Sequence, residues 1–343
     1  MNDDLRYPAE WEHMDAVLVA WPHPDTDWAP ILHQVRTTYG HIINAISQYA
    51  KVLVIGPEQP SAEYIPDGTQ LDNILYVEIP TNDTWTRDYG PISIDIAGRP
   101  ALLDYQFNGW GLKFASDKDN MATTRLKENG ILASPVINRL SFTLEGGSIE
   151  TDGRGLLITT EGCLLSPNRN GGMSREQIER QLRDDFGLTH ILWLSHGGLA
   201  GDDTDGHIDT LVRIVPPGDT LLYVGCSDTG DEHYTELAAM RDELKELRRA
   251  DGMPFNLIEL PMPDAVFDPD DGSRLPATYA NFLILNEAVL VPVYNQPLKD
   301  RHALMAIQAA MPDHKIVPID CSALIRQHGS LHCATMGIVT IKK

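Results

Sequence analysis

GLLITTEGCLLSPNRNGGMSREQIERQLRDDFGLTHILWL, residues 155–194, holds the pattern that decides the fold. It opens with two short apolar runs, Gly155–Thr160 and Gly162–Leu165, both of strand length. Ser174 and Gln177 then stand at capping-box spacing, Ile178, Leu182 and Phe186 recur at the helical interval, and Gly187 supplies a stop. His190–Leu194 follows as a third short β-rich run. The order is strand, strand, helix, strand.

The same order recurs on both sides. Trp28–Tyr49 places Ile31, Leu32, Val35, Tyr39, Ile42 and Ile46 on one helical face, with Pro30 in the first turn, where a missing N–H costs nothing. Asn120–Lys127, stopped by Asn129-Gly130, is predicted helical. So are Asp231–Arg249, with Leu237, Met240, Leu244 and Leu247, and Asp300–Met311, with Leu304, Ile307 and Met311. The β-rich runs that follow these helices are Lys51–Ile55, Ile131–Ile137, Phe255–Leu260 and Lys315–Ile319. Paired runs lie between the units, such as Ile208–Val215 with Thr220–Val224 and Phe282–Leu285 with Ala288–Val293. Five repeats in 343 residues give about 69 residues each, a fitting size for a four-element module. No linker interrupts them, and Pro261–Pro276 reads as a surface excursion, so residues 1–343 are expected to form a single α/β domain. A doubly wound sheet needs one helix per strand, whereas strands clearly outnumber helices here. A radial arrangement of five ββαβ units fits better, with loops from different units converging at its centre.

Asp and Glu total 49 against 27 Lys and Arg, a formal net charge of −22. Such a chain repels nucleic acid and anionic membranes. A solvated acidic surface accounts for most of that charge, but a field of this sign also draws in a cation. The opening MNDDLRYPAEWEHM lacks the basic and apolar regions of a signal peptide, and no apolar run approaches the roughly 18 residues of a membrane span. A cytoplasmic location is the resulting expectation. The cysteines, Cys163, Cys226, Cys321 and Cys333, show no C-x-x-C spacing and are expected to be free thiols, mostly acting as small apolar residues.

Four segments carry candidate chemistry. Cys333 follows a helix-like stretch ending in Gly329 and precedes the final predicted strand, Gly337–Ile341. The adjacent His332 would point to the opposite face of a strand, so a partner for the thiol is sought elsewhere. Gly201–Asp209 packs Asp202, Asp203, Asp205, His207 and Asp209 into nine residues. If the strand-like run starts at Gly206, His207 and Asp209 share a face, a spacing that suits either metal ligation or acid–base work. Trp85–Pro91 sets an aromatic, Arg87 and Asp88 against a Gly-Pro turn, Arg87 being expected in a structural ion pair. Glu145-Gly146-Gly147 allows close backbone approach or positive φ after a carboxylate. No glycine-rich phosphate loop, Rossmann pattern or H-E-x-x-H occurs. A thiol with an imidazole suggests covalent catalysis. Carboxylates facing that thiol would raise its pKa, which makes sense if the substrate is itself a cation; a guanidinium matches carboxylates bidentately.

Trp85–Pro91 (WTRDYGP), Glu145–Gly153 (EGGSIETDG), Leu164–Asn170 (LLSPNRN), Thr204–Arg213 (TDGHIDTLVR) and Leu331–Thr335 (LHCAT) together resemble the agmatine deiminases, within the wider bacterial peptidyl-arginine deiminase family. Pro8–Glu12, Ala20–His23, Arg274–Pro276 and Thr278–Phe282 extend that resemblance in order over nearly the whole chain. It departs at Leu112, where a glycine is usual, and around Cys333, in Gln327–Ser330 and Met336-Gly337, which bears on selectivity for the substrate's tail. The resemblance implies a five-bladed α/β propeller with pseudo-five-fold symmetry. It implies an enzyme that hydrolyses agmatine to N-carbamoylputrescine and ammonia without metal or cofactor, and a small cationic guanidinium partner; a homodimer is compatible with it. It further implies Cys333 as nucleophile, His207 as general acid/base, Asp88 and Asp209 as guanidinium clamps, and Glu145 as the group that orients His207. Trp85 is then expected along the aliphatic tail and Asp203 or Asp205 at the far amine.

Other readings compete. A deiminase of arginine or peptidyl-arginine keeps the chemistry and changes the tail. An amidinotransferase would pass the amidine to an amine. A metallohydrolase would use Asp203, Asp205, His207 and Asp209, a possible hard-oxygen and imidazole set that leaves Cys333 idle. A non-catalytic binding module would leave the thiol without a purpose.

Overall fold

The computed structural model describes residues 5–341, so the first four residues of the N-terminal reading lie outside it. Among the described residues the strands form five sheets. Each sheet contains an antiparallel pair followed by a parallel pair. Ile92–Ile96 and Arg99–Gln106 lead to Val136–Thr143, and Glu150–Thr151 and Leu156–Thr160 to His190–Leu194. Val212–Val215 and Thr220–Gly225 lead to Asn256–Pro261, and Leu283–Leu285 and Ala288–Val293 to Lys315–Asp320. In each case a helix spans the parallel crossover: Ala122–Glu128, Arg175–Phe186, Tyr234–Glu246 and Pro297–Ala310. Parallel neighbours require such a crossover, which is why the helical and strand periods alternate along the sequence.

The remaining sheet joins distant parts of the chain. Met336–Ile338 pairs antiparallel with Ala16–Ala20, which pairs in parallel with Lys51–Gly56 across the helix Leu32–Ser47. Ala16–Ala20 is buried throughout, as a strand covered on both faces must be. The helix beside it buries Val35, Tyr39, Ile42 and Ile46, the stripe read from its spacing. No helix among the described residues is long and apolar enough to cross a membrane.

Several expectations need correction. Gly162–Leu165 is not a strand: Glu161–Leu164 forms one helical turn that buries Cys163 and Leu164, and the antiparallel partner of Leu156–Thr160 is the two-residue Glu150–Thr151. An apolar run this short does not distinguish a buried turn from a strand. The strand expected at Ile131–Ile137 begins at Val136, just after Pro135, and the final strand is Met336–Ile338. His207 and Asp209 are not on a strand. Ile208–Thr210 is a 3₁₀ turn, and the strand starts at Val212. By contrast, the helix at 175–186 has the full capping box, with Ser174 and Gln177 bonding reciprocally, and ends on Gly187 in the left-handed region.

Candidate active site

Turns at the strand ends hold the reactive groups. Cys333 lies in a turn immediately before the closing strand, its Sγ 3.3 Å from Asn281 Nδ2 and 3.9 Å from Asp209 Oδ2. Asn281 also accepts a hydrogen bond from the His332 N–H at 2.8 Å, which pins the backbone that carries the sulfur. Burial pushes the Cys333 thiol well above its ordinary range, and Asp209 and Asp88 push the same way. It rests as a neutral thiol.

Asp88, in the single turn Thr86–Tyr89, receives the Gly147 N–H on Oδ1 at 3.0 Å and the Trp110 indole N–H on Oδ2 at 2.9 Å. Burial still raises its carboxyl to about 6. Asp209 is tied at Oδ2 by His332 Nδ1, 2.7 Å away, while its buried Oδ1 has no hydrogen-bond partner among the described residues. Burial would raise Asp209, but the His332 hydrogen bond together with the positive charges of His332, His207 and Arg213 outweighs it, and the carboxyl falls below its usual range.

His207 is fully buried. Its Nε2 faces Glu145 Oε2 at 3.4 Å, and its Nδ1, which lacks a hydrogen-bond partner among the described residues, lies 3.6 Å from Asp88 Oδ1. Burial disfavours the imidazolium, yet Asp88, Cys163 and Glu145 hold the ring's pKa well above the ordinary value. Glu145 is in turn clamped by Arg169 Nε, 2.7 Å from Oε2 and 3.0 Å from Oε1.

Glycine is needed at 147 for space, since neither Gly146 nor Gly147 adopts a positive φ. A Cβ on Gly147 would stand 2.7 Å from His207 Nδ1, 2.9 Å from Asp88 Oδ1 and 3.1 Å from Asp209 Oδ2. Three polar side chains thus converge on one bare Cα. Gly329 lies as closely on the Trp85 ring, where a Cβ would come within 2.4 Å.

A cavity opens over these groups, lined by Cys333, Asp88, Trp85, Trp110 and Phe114, with Asp27, Asp83, Asp203 and His328 among the other lining residues. The structure therefore brings Cys333, Asp88, Asp209, His207, Glu145 and Trp85 together, and Asp203 reaches the same cavity. Asp205, expected as one alternative for the far amine, does not: its carboxylate bonds to Arg169 at 2.6 Å and to Lys113 at 2.7 Å. Asp202 caps its own loop, accepting from Thr204 and Gly206. Sequence reasoning gave no role to Trp110, Arg169, Asn281 or Glu10, although the motifs around three of them were visible in Leu164–Asn170, Thr278–Phe282 and Pro8–Glu12. Arg87 is ion-paired as expected, with Glu10 at 2.8 Å.

The metal alternative fares differently. Among the described residues the group with mutually close ligand atoms is Glu145, Cys163 and His207, not Asp203, Asp205, His207 and Asp209. Glu145 in that group is already neutralised by Arg169.

The model of the Porphyromonas-type peptidyl-arginine deiminase family matches residues 6–338, and the chain belongs to that family. The agmatine deiminase of Pseudomonas aeruginosa is 34% identical, over 97% of this chain and 95% of its own. A Porphyromonas gingivalis structure described as a candidate arginine deiminase is 47% identical, with a TM-score of 0.92 over 99% of this chain and all of its own. The substrate-bound agmatine deiminase of C. jejuni is 36% identical, with a TM-score of 0.90 over 99% of this chain and 97% of its own. The mixed α/β fold is the one these structures share.

Proposed function

We propose that the chain is a single-domain hydrolase that deiminates agmatine to N-carbamoylputrescine and ammonia through a thiouronium on Cys333, its five ββαβ units arranged as propeller blades around the site. The observation that carries this reading is the pair of buried, unpartnered atoms, Asp209 Oδ1 and His207 Nδ1, beside a neutral thiol. A buried acceptor without a donor is costly, and a planar cation with forked N–H groups satisfies it. Asp88 and Asp209 hold the guanidinium as a cation. Its charge offsets theirs and lowers the thiol's pKa, so the thiol releases its proton to solvent as the cation binds and the thiolate attacks the central carbon. His207 gives its proton to the departing nitrogen and ammonia leaves. The neutral imidazole then takes one proton from water, whose oxygen attacks the thiouronium; as the C–S bond breaks, the hydroxyl proton passes to the departing sulfur, and the urea and the neutral thiol are formed.

The tail supports agmatine over arginine. Asp27, Asp83 and Asp203 line the cavity, and among the described residues no Lys or Arg does. A terminal ammonium is attracted there, whereas the α-carboxylate of arginine is repelled. Purified protein given agmatine should release ammonia, and Cys333→Ala should release none. Activity on peptidyl-arginine but not agmatine would keep the chemistry and overturn the substrate.

A further inference from the structure

His332 touches neither the thiol nor the cavity that Cys333 lines, yet it is bound more tightly than any other histidine near the site. Its Nδ1 is 2.7 Å from Asp209 Oδ2 and its Nε2 is 2.6 Å from Glu10 Oε1. Glu10 cannot act as a donor. It accepts from Arg87 at 2.8 Å, from Arg213 at 2.6 Å and from the Ile284 N–H at 2.9 Å. Burial would raise its pKa, but His332 and the two arginines hold the carboxyl well below the usual range. Ionised carboxylates only accept, so both ring nitrogens of His332 are placed as donors, one to each acid. Its other surroundings belong to a second cavity, lined by Tyr7, Glu10, Arg87, Glu150, His332 and Met336. Consecutive residues thus serve separate compartments, the thiol facing one and the imidazole the other.

We propose that His332, anchored by Glu10, is a positioning residue for the reaction: it ties down one oxygen of Asp209 and turns the other toward the guanidinium. The two oxygens of Asp209 differ accordingly, one bonded and one without a partner. Without the Nδ1 donor the carboxylate can rotate, and at full burial its charge loses its shortest hydrogen bond, leaving only the more distant His207 and Arg213 to offset it. The inference rests on reading Asp209 as a guanidinium clamp.

Two amide variants separate this role from packing. His332→Asn keeps a donor near the Nδ1 position, toward Asp209; His332→Gln keeps one near Nε2, toward Glu10. With folding checked by thermal unfolding, kcat/KM for agmatine should stay within about threefold of wild type in His332→Asn and drop about a hundredfold in His332→Gln. A second measurement bypasses turnover: the ratio of Cys333 inactivation rates by chloroacetamidine, a cation, and chloroacetamide, its neutral counterpart. That ratio should be retained in His332→Asn and collapse in His332→Gln, whereas damaged packing would slow both reagents alike. Equal behaviour of the two variants in both measurements would overturn the proposal. Wild type inert on agmatine would instead overturn the function proposed above.

Discussion

Arg169 Nε lies 2.7 Å from Glu145 Oε2 in a fully buried pair, and Glu145 is the group that faces the inner nitrogen of His207. The guanidinium thus lies on the side of Glu145 away from the reaction, and its other nitrogens reach Asp205 and the Thr204 carbonyl. Substituting Arg169 by Met leaves the buried Glu145 with only His207 as a cationic partner, at 3.4 Å, a loss approaching about 3–5 kcal/mol. Denaturant melts should show that loss. Arg169→Lys should recover part of the stability but not the forked geometry.

Gly147→Ala places a methyl among His207, Asp88 and Asp209 at distances that force at least one of them to move. Activity on agmatine should fall about a hundredfold or more, with a stability loss of only about 1–3 kcal/mol. Steady-state kinetics beside a thermal melt will show the disproportion. A variant with normal kinetics would mean that substrate does not occupy this corner.

Asp209→Asn keeps the shape of the clamp and removes its charge. A charge-assisted hydrogen bond contributes about 1.5–3 kcal/mol, so kcat/KM should drop about 10- to 100-fold for each such bond lost. Thiol alkylation by a neutral reagent should become faster, since Asp209 is one of the groups that raise the Cys333 pKa.

Asp83 predicts a pH dependence. Burial pushes its carboxyl up to about 7, so at low pH it is neutral and attracts no ammonium. KM for agmatine should therefore fall as pH rises through about 7, the range in which the acid ionises. An alkylguanidine without the far amine should lack this limb and retain the lower one near 6 that belongs to Asp88. Asp83→Asn should remove the upper limb for agmatine as well.

In the absence of substrate Cys333 should resist alkylation at neutral pH and become reactive only well above the ordinary thiol range, because burial and two carboxylates favour its protonated form. Iodoacetamide inactivation rates measured against pH will check this. Rapid inactivation at pH 7 would mean that the thiolate is formed without a bound cation.

The parts of this molecule that read easily are those with a period. The helix at 175–186 was legible to its caps because Ser174, Gln177 and Gly187 each act locally. The turn at Ile208–Thr210 was not, since Ile208 and Leu211 are as fully buried as strand residues would be and mimic one in sequence. Cys333, His207, Asp88, Asp209 and Glu145 could be picked out from motifs, and the structure gathers them. What joins them could not be read. Arg169 reaches Glu145 across 24 positions, Asn281 reaches Cys333 across 52, and Glu10 reaches His332 across 322. No local spacing encodes a contact whose partner is chosen by the closing of sheets.

Cys333 stands just ahead of Met336–Ile338, the strand that joins the last unit to Ala16–Ala20. The backbone that carries the sulfur is thus moored to a strand some three hundred residues upstream. Loosening of that single antiparallel pairing displaces the thiol while Asp88, Glu145 and His207 keep their own turns, so loss of turnover is an early gauge of fraying where the two ends of the chain meet.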